Sequence, residues 1–167
     1  MIGRLVIAIV LFTGIPVAHA EDEPKTKSVP IFKITSQLFA RSVGFDKDGH
    51  CRAAGGVSLK AWHVPGFPAE IPHFESCTTI SSPTTGGEVE FVFSIIDKDG
   101  ERLQRVDGVM DLGKEGQVSQ AVDWDHLKIP AAGIYYFAIK IEGREIGRYP
   151  MQFNSRKARH KRPGKKH

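Results

Sequence analysis

Cysteine occurs only twice in the 167 residues, as Cys51 and Cys77. With 25 residues between them they match no zinc-ligand spacing. From Ser28 onward almost nothing apolar recurs at helical period, so no crossover helix is available to build an α/β fold. No G-x-S-x-G elbow and no S-x-x-K is present. Ser81, Ser82 and Ser155 fall in loop or tail contexts, and a hydrolytic triad finds no support. Acid is missing from both ends: all 19 Asp and Glu lie between Glu21 and Glu145.

The charge that is present divides the chain. Of 23 Lys and Arg, one is Arg4 and seven are Arg156, Lys157, Arg159, Lys161, Arg162, Lys165 and Lys166, leaving 15 against the 19 acids. A body of net −4 thus carries a tail of +7, and the overall +4 describes an appendage rather than a nucleic-acid-binding domain.

The N-terminus reads as a cleavable export signal over residues 1–20. A basic start at Arg4 precedes an apolar run from Leu5 to Ile15, a breaker at Pro16 and a small-x-small end at Ala18-His19-Ala20. The run is short for a bilayer span. The expectation is a periplasmic or secreted protein, where paired thiols persist, with Cys51 and Cys77 bridged. Closing that loop would stabilise the fold by about 3 kcal/mol.

The body alternates. "IFKITSQLFA" puts Phe32, Ile34, Leu38 and Ala40 on one strand face; "EVEFVFSIID" does the same with Val89, Phe91, Phe93 and Ile95. "GIYYFAIKIEG" aligns Tyr135, Phe137, Ile139 and Ile141, and "RYPMQF" aligns Tyr149, Met151 and Phe153. Between such runs stand the turn formers Asp46-Lys47-Asp48-Gly49, Thr85-Gly86-Gly87, Asp97-Lys98-Asp99-Gly100 and Glu142-Gly143. The expected fold is all-β, a single antiparallel β-sandwich of roughly seven to eight strands. It should occupy residues 30–154, after a flexible lead-in over 21–29 and before a disordered basic tail over 155–167.

Three stretches, "GGVSLKAWHVPGFPAEIPHF", "GGEVEFVFSIIDKDGE" and "PAAGIYYFAIKIEGREIGRYPMQF", together resemble an uncharacterised bacterial family of small immunoglobulin-like β-sandwich domains, over Ile31 to Phe153. The resemblance implies the fold and transfers neither an activity nor a catalytic residue.

Candidate chemistry is sparse. His63 and His73 flank "VPGFPAEIP" and, with the Asp-rich turns, form the nearest approach to a metal set, without a third ligand in view. Both DKDG stretches lack the later ligands of a calcium loop and read as hairpin turns. In "DWDH", Asp123 and Asp125 share a solvated face, opposite to Trp124, which faces inward with Val122. The register Val57, Leu59, Ala61 puts Trp62 on a polar face, so Trp62 with Phe67 is the candidate ligand-binding pair. The preferred function is an exported non-enzymatic module without cofactor. Its tail would hold an anionic polymer or membrane surface, and its sandwich a protein or polysaccharide, without sequence-specific nucleic-acid binding. The alternative is a metal-dependent enzyme or metal-binding protein using His63, His73 and the Asp-rich turns.

Overall fold

The computed structural model describes residues 31–54, 58–83 and 86–156. Residues 1–20, the whole lead-in and the tail beyond Arg156 lie outside that set, and with them the expected signal peptide and six of the seven tail cations. Ser155 and Arg156 belong to the fold: Ser155 ends the last strand, and the Arg156 N–H donates to the Val64 carbonyl at 2.7 Å.

Two sheets face each other. One has three strands in the order β1 (Lys33–Ala40), β5 (Ala69–Ser81), β8 (Gln117–Ile129). The other has five, in the order β4 (Ala61–Val64), β10 (Arg144–Ser155), β9 (Gly133–Ile141), β6 (Glu88–Ile96), β7 (Arg102–Asp111). The eight strands form an all-β, immunoglobulin-like sandwich, and a two-stranded hairpin of β2 (Val43–Phe45) and β3 (Cys51–Ala53) is added to it.

The uninterrupted alternations decide the core. Val89, Phe91, Phe93 and Ile95 from β6, and Tyr135, Phe137, Ile139 and Ile141 from β9, are all buried, as are Met151 and Phe153 of β10. Phe137 stands edge-on to Phe39, Phe93 and Trp124 at centroid distances of 5.3–5.8 Å, linking both sheets through one aromatic cluster. The Trp124 indole N–H donates to Ser76 Oγ at 2.8 Å, which satisfies two buried polar groups at once. At the β8–β9 corner the Tyr135 hydroxyl donates to the Ala131 carbonyl at 3.0 Å, a tyrosine corner of the kind immunoglobulin-like domains use to fix that crossing.

The hairpin turns are chemically alike. In both DKDG stretches the first Asp accepts two backbone N–H groups on one oxygen: Asp46 from Asp48 and His50, Asp97 from Asp99 and Glu101, all at 2.8–3.0 Å. Gly49 and Gly100 close these turns at φ of 77° and 86°. The backbone bonds from His50 and Asp48 help hold the Asp46 carboxyl below its ordinary range, that from His50 most strongly.

Three expectations are corrected. In β1 the register slips between Ile34 and Ser36, so Ile34 and Phe39 point into the sandwich while Leu38 and Ala40 face the other way. Ala40 is nonetheless fully buried, because the β2–β3 hairpin lies over that outer face. In the second correction, β4 pairs with β10 in parallel, so the sheet is mixed. In the third, β4 begins only at Ala61, and its inward residues are Trp62 and Val64; Trp62 is buried in the core rather than exposed. Residues 58–60 precede the strand, so their alternation says nothing about its faces. The disulfide is present: Cys51 of β3 is bonded to Cys77 of β5 across a Cα separation of 5.8 Å, pinning the hairpin to the three-stranded sheet.

Candidate functional site

The sandwich is open at one seam. Strand β1 ends at Ala40, opposite Glu75, so the first residues of β5 have no partner on that side. Facing them, β4 is the edge of the other sheet. Between them lies a cleft of about 590 Å³, with Trp62, Ile71 and Pro72 in its wall and Arg41, Glu70, His73 and Arg156 among its polar residues. Its size suits a small ligand or a short polymer segment.

Trp62 is held in the cleft wall by aromatic contacts on three sides. It stacks on Phe153 at 5.0 Å and meets Phe39 and Phe74 edge-on at 5.6 Å. Its indole Nε1 is fully buried and has no hydrogen-bond partner among the described residues. An unsatisfied buried donor costs about 1–3 kcal/mol. Phe67 is half-buried and packs against the core, so it too is not the exposed anchor that the sequence suggests.

A local irregularity builds the polar side. Pro72 has no N–H to give, and His126 opposite it adopts φ 53°. Inward residues there are spaced by three rather than two, as Ile71 then Phe74 and, across the pair, Leu127 then Trp124. His73 and Asp125 are thereby turned outward together, with Nδ1 and Oδ1 2.7 Å apart. Glu75 stands next on the same face, with Oε1 3.5 Å from His73 Nε2 and Oε2 accepting the Val43 N–H at 2.7 Å. The hydrogen bond to Asp125 raises the His73 pKa above its ordinary value, with Glu75 adding to it and desolvation opposing both. His126 pairs separately with Glu70 at 2.6 Å.

The two histidines singled out in the sequence do line one cleft. They do not share a ligand set: the group that brings ligand atoms within 4.8 Å of one another is His73, Glu75 and Asp123. A second such group, Asp46, Asp48 and His50, lies in the β2–β3 turn, where Asp46 is already occupied by backbone N–H groups. Glu75 was missed because only the β5–β8 register places it opposite Asp123. Of the tail cations only Arg156 is described, at the cleft. Asp123 and Asp125 are exposed and Trp124 is buried, as expected.

Strand order, tyrosine corner and seam cleft together define a small immunoglobulin-like β-sandwich domain. A model of a family of unknown function, DUF6941, matches residues 36–154, and the chain belongs to that family. No curated protein matches it. Among solved structures it is similar to the Pseudomonas fluorescens alkylpurine DNA glycosylase AlkC bound to DNA containing an abasic site analogue, at 9% identity over 73% of this chain and 30% of that one, TM-score 0.46. It is also similar to a β-glucosidase from Listeria innocua in complex with isofagomine, at 7% identity over 74% of this chain and 16% of that one, TM-score 0.45. A third similar structure is an immunoglobulin-like protein from Pseudomonas aeruginosa, at 10% identity over 74% and 97%, TM-score 0.36. The chain spans less than a third of the glycosylase and of the glucosidase. At these scores the fold assignment rests on the strand order itself.

Proposed function

We propose that the protein is an exported, non-enzymatic binding module, periplasmic or secreted, whose seam cleft takes a polysaccharide or protein segment and whose basic tail attaches it to an anionic polymer or membrane surface. The observation that carries the reading is the open cleft at the seam, which presents Arg41, Glu70 and His73 beside a wall of Trp62, Ile71 and Pro72. A polymer rich in hydroxyl or carbonyl oxygens meets those polar groups while its apolar faces meet Ile71 and Pro72. The Cys51–Cys77 bridge agrees with an oxidising compartment.

The two indoles make the test internal. In the ¹⁵N spectrum of the full-length protein, titration with envelope polysaccharide fragments or extended peptides should move the Trp62 Nε1–H signal. The Trp124 signal, already bonded to Ser76, should stay in place. Ligands that bind without moving the Trp62 indole would sink the cleft assignment. For the tail, full-length protein in which Lys157, Arg159, Lys161, Arg162, Lys165 and Lys166 are replaced by Gln should lose salt-sensitive retention on anionic vesicles and heparin. Equal retention of both proteins would refute attachment through the tail.

A second reading, metal binding, is favoured by one arrangement. With Asp125 on Nδ1, His73 presents Nε2 toward Glu75, and Asp123 completes a set of three ligand atoms. Metal analysis of the purified protein, with His73→Ala as control, decides it: stoichiometric metal lost in that variant would replace the module reading with the metal-binding one.

A further inference from the structure

On the outer face of the five-stranded sheet, away from the seam, four cations from three strands surround a depression of about 490 Å³: Arg102 and Arg105 from β7, Lys140 from β9 and Arg148 from β10. We propose that this depression is a second binding site, for a ligand bearing a tetrahedral dianion of the phosphate-monoester kind.

The register produces it. Arg105 pairs with Ser94, Ser94 with Ala138, and Ala138 with Arg148, so one row across the sheet reads arginine, serine, alanine, arginine. Three strand steps set the two arginine Cα atoms about 14 Å apart. That span lets both side chains reach inward over a floor kept low by the two small residues. The neighbouring rows add Lys140 beside Val92 and Arg102 beside Ile96. No bulky side chain fills the middle, and Ser94 there carries a hydroxyl without a side-chain partner among the described residues.

The arginines are aimed as well as gathered. Glu145 takes Nε and Nη2 of Arg148 at 2.9 and 3.0 Å, and the guanidinium stands 5.8 Å from the Tyr136 ring centroid. Asp107 takes Nε of Arg105 at 3.0 Å. Each fork is therefore held by an acid, Glu145 itself lining the depression, and keeps N–H groups without a partner among the described residues, Nη1 of Arg148 and both Nη of Arg105. Arg102 and Lys140 have no ion pair among the described residues. Four cations against Glu145 and Asp107 leave two positive charges uncompensated, the amount one phosphate monoester neutralises and a single carboxylate does not. A tetrahedral group also offers oxygens in three directions, which suits Arg105, Arg148 and the Ser94 hydroxyl approaching from separate sides.

The test uses the full-length protein, so that the basic tail competes in the same sample. In ¹⁵N spectra, glucose 1-phosphate and inorganic phosphate should shift the Ser94 and Ala138 amides saturably, and acetate at equal ionic strength should not. The Arg105→Gln/Arg148→Gln variant, its fold checked by unchanged core signals of β6 and β9, should bind at least tenfold more weakly. Arg148→Lys, which keeps the charge but loses the fork, should fall between. Phosphatidic acid vesicles form a second arm: a stronger response to them assigns a lipid headgroup, a stronger response to glucose 1-phosphate a soluble ligand, and either upholds the site. Shifts confined to tail residues, equal shifts with acetate, or an unaltered titration in the double variant would each overturn it.

Discussion

Replacing both Cys51 and Cys77 by alanine isolates what the hairpin owes to its cross-link. The bridge joins residues 26 apart, and opening it returns about 3 kcal/mol of loop freedom to the unfolded chain. Cys77 is fully buried beneath the hairpin, and Cys51 Sγ lies 3.4 Å from Thr79 Oγ1, so removing the two sulfurs also leaves a void costing about 1 kcal/mol. What then ties the hairpin down is the Val43 N–H on Glu75, at 2.7 Å, together with the contacts over Ala40. A loss of about 4 kcal/mol in a domain of this size lowers Tm by about 10–15 °C. Circular dichroism melts of the oxidised wild type and the variant measure it. Hydrogen exchange should show protection lost first at 43–45 and 51–53, with β6 and β9 keeping theirs. A fall in Tm of less than ~3 °C, with the hairpin amides as protected as before, would mean that non-covalent contacts suffice and would refute the loop-closure argument.

Ser76→Ala should destabilise by about 1–3 kcal/mol, because it strands the Trp124 indole N–H in the core; a denaturant midpoint within error of wild type would contradict the assigned bond. Both tryptophans are buried, at 7% and 0% exposure, so neither should respond to iodide or acrylamide in the folded protein, and efficient quenching of either would contradict its placement. The His73 pKa is raised by its carboxylate neighbours, Asp125 foremost, so the pair favours the fold below the ordinary imidazole range and loses that contribution as pH rises through the raised value. Asp125→Asn should lower the His73 titration midpoint seen by NMR toward the ordinary value, and an unchanged midpoint would remove Asp125 as the cause.

Strands whose alternation runs unbroken could be read directly. β6 and β9 bury every residue assigned inward, and the Asp that opens each DKDG turn caps its own loop wherever the strands go. Reading failed where period two was interrupted. The slip after Ile34 exchanged Leu38 for Phe39, and the late start of β4 reversed the faces around Trp62. Neither event has a local sequence sign, since both are set by what packs against the strand. Sites were less legible still. His73 meets Asp125 across 52 positions, and the row from Arg105 through Ser94 and Ala138 to Arg148 exists only once four strands are in register. Composition located the positive charge in the tail, yet folding gathers a second share of it on one sheet face.

The root of the tail gives the two proposed binding functions a common geometry. Arg156 is fastened by its N–H to the Val64 carbonyl and lines the seam cleft, so the remaining eleven residues leave from the cleft itself. Fully extended they reach at most about 40 Å. A polymer or membrane held by those residues is therefore kept within about 40 Å of the cleft that Trp62, Glu70 and His73 line. The outer face bearing Glu75, Asp123 and Asp125 adjoins the same cleft through His73, and its negative charge disfavours flat contact of that face with a polyanion. The cationic depression between Arg105 and Arg148 belongs to the opposite sheet and has the complementary sign. A polyanionic surface gripped by the tail should therefore meet the five-stranded sheet and leave the β2–β3 hairpin outward. Paramagnetic relaxation from spin-labelled anionic vesicles would then broaden the amides of Arg105 and Arg148 before those of Val43 and Arg52, and the reverse order would overturn this orientation.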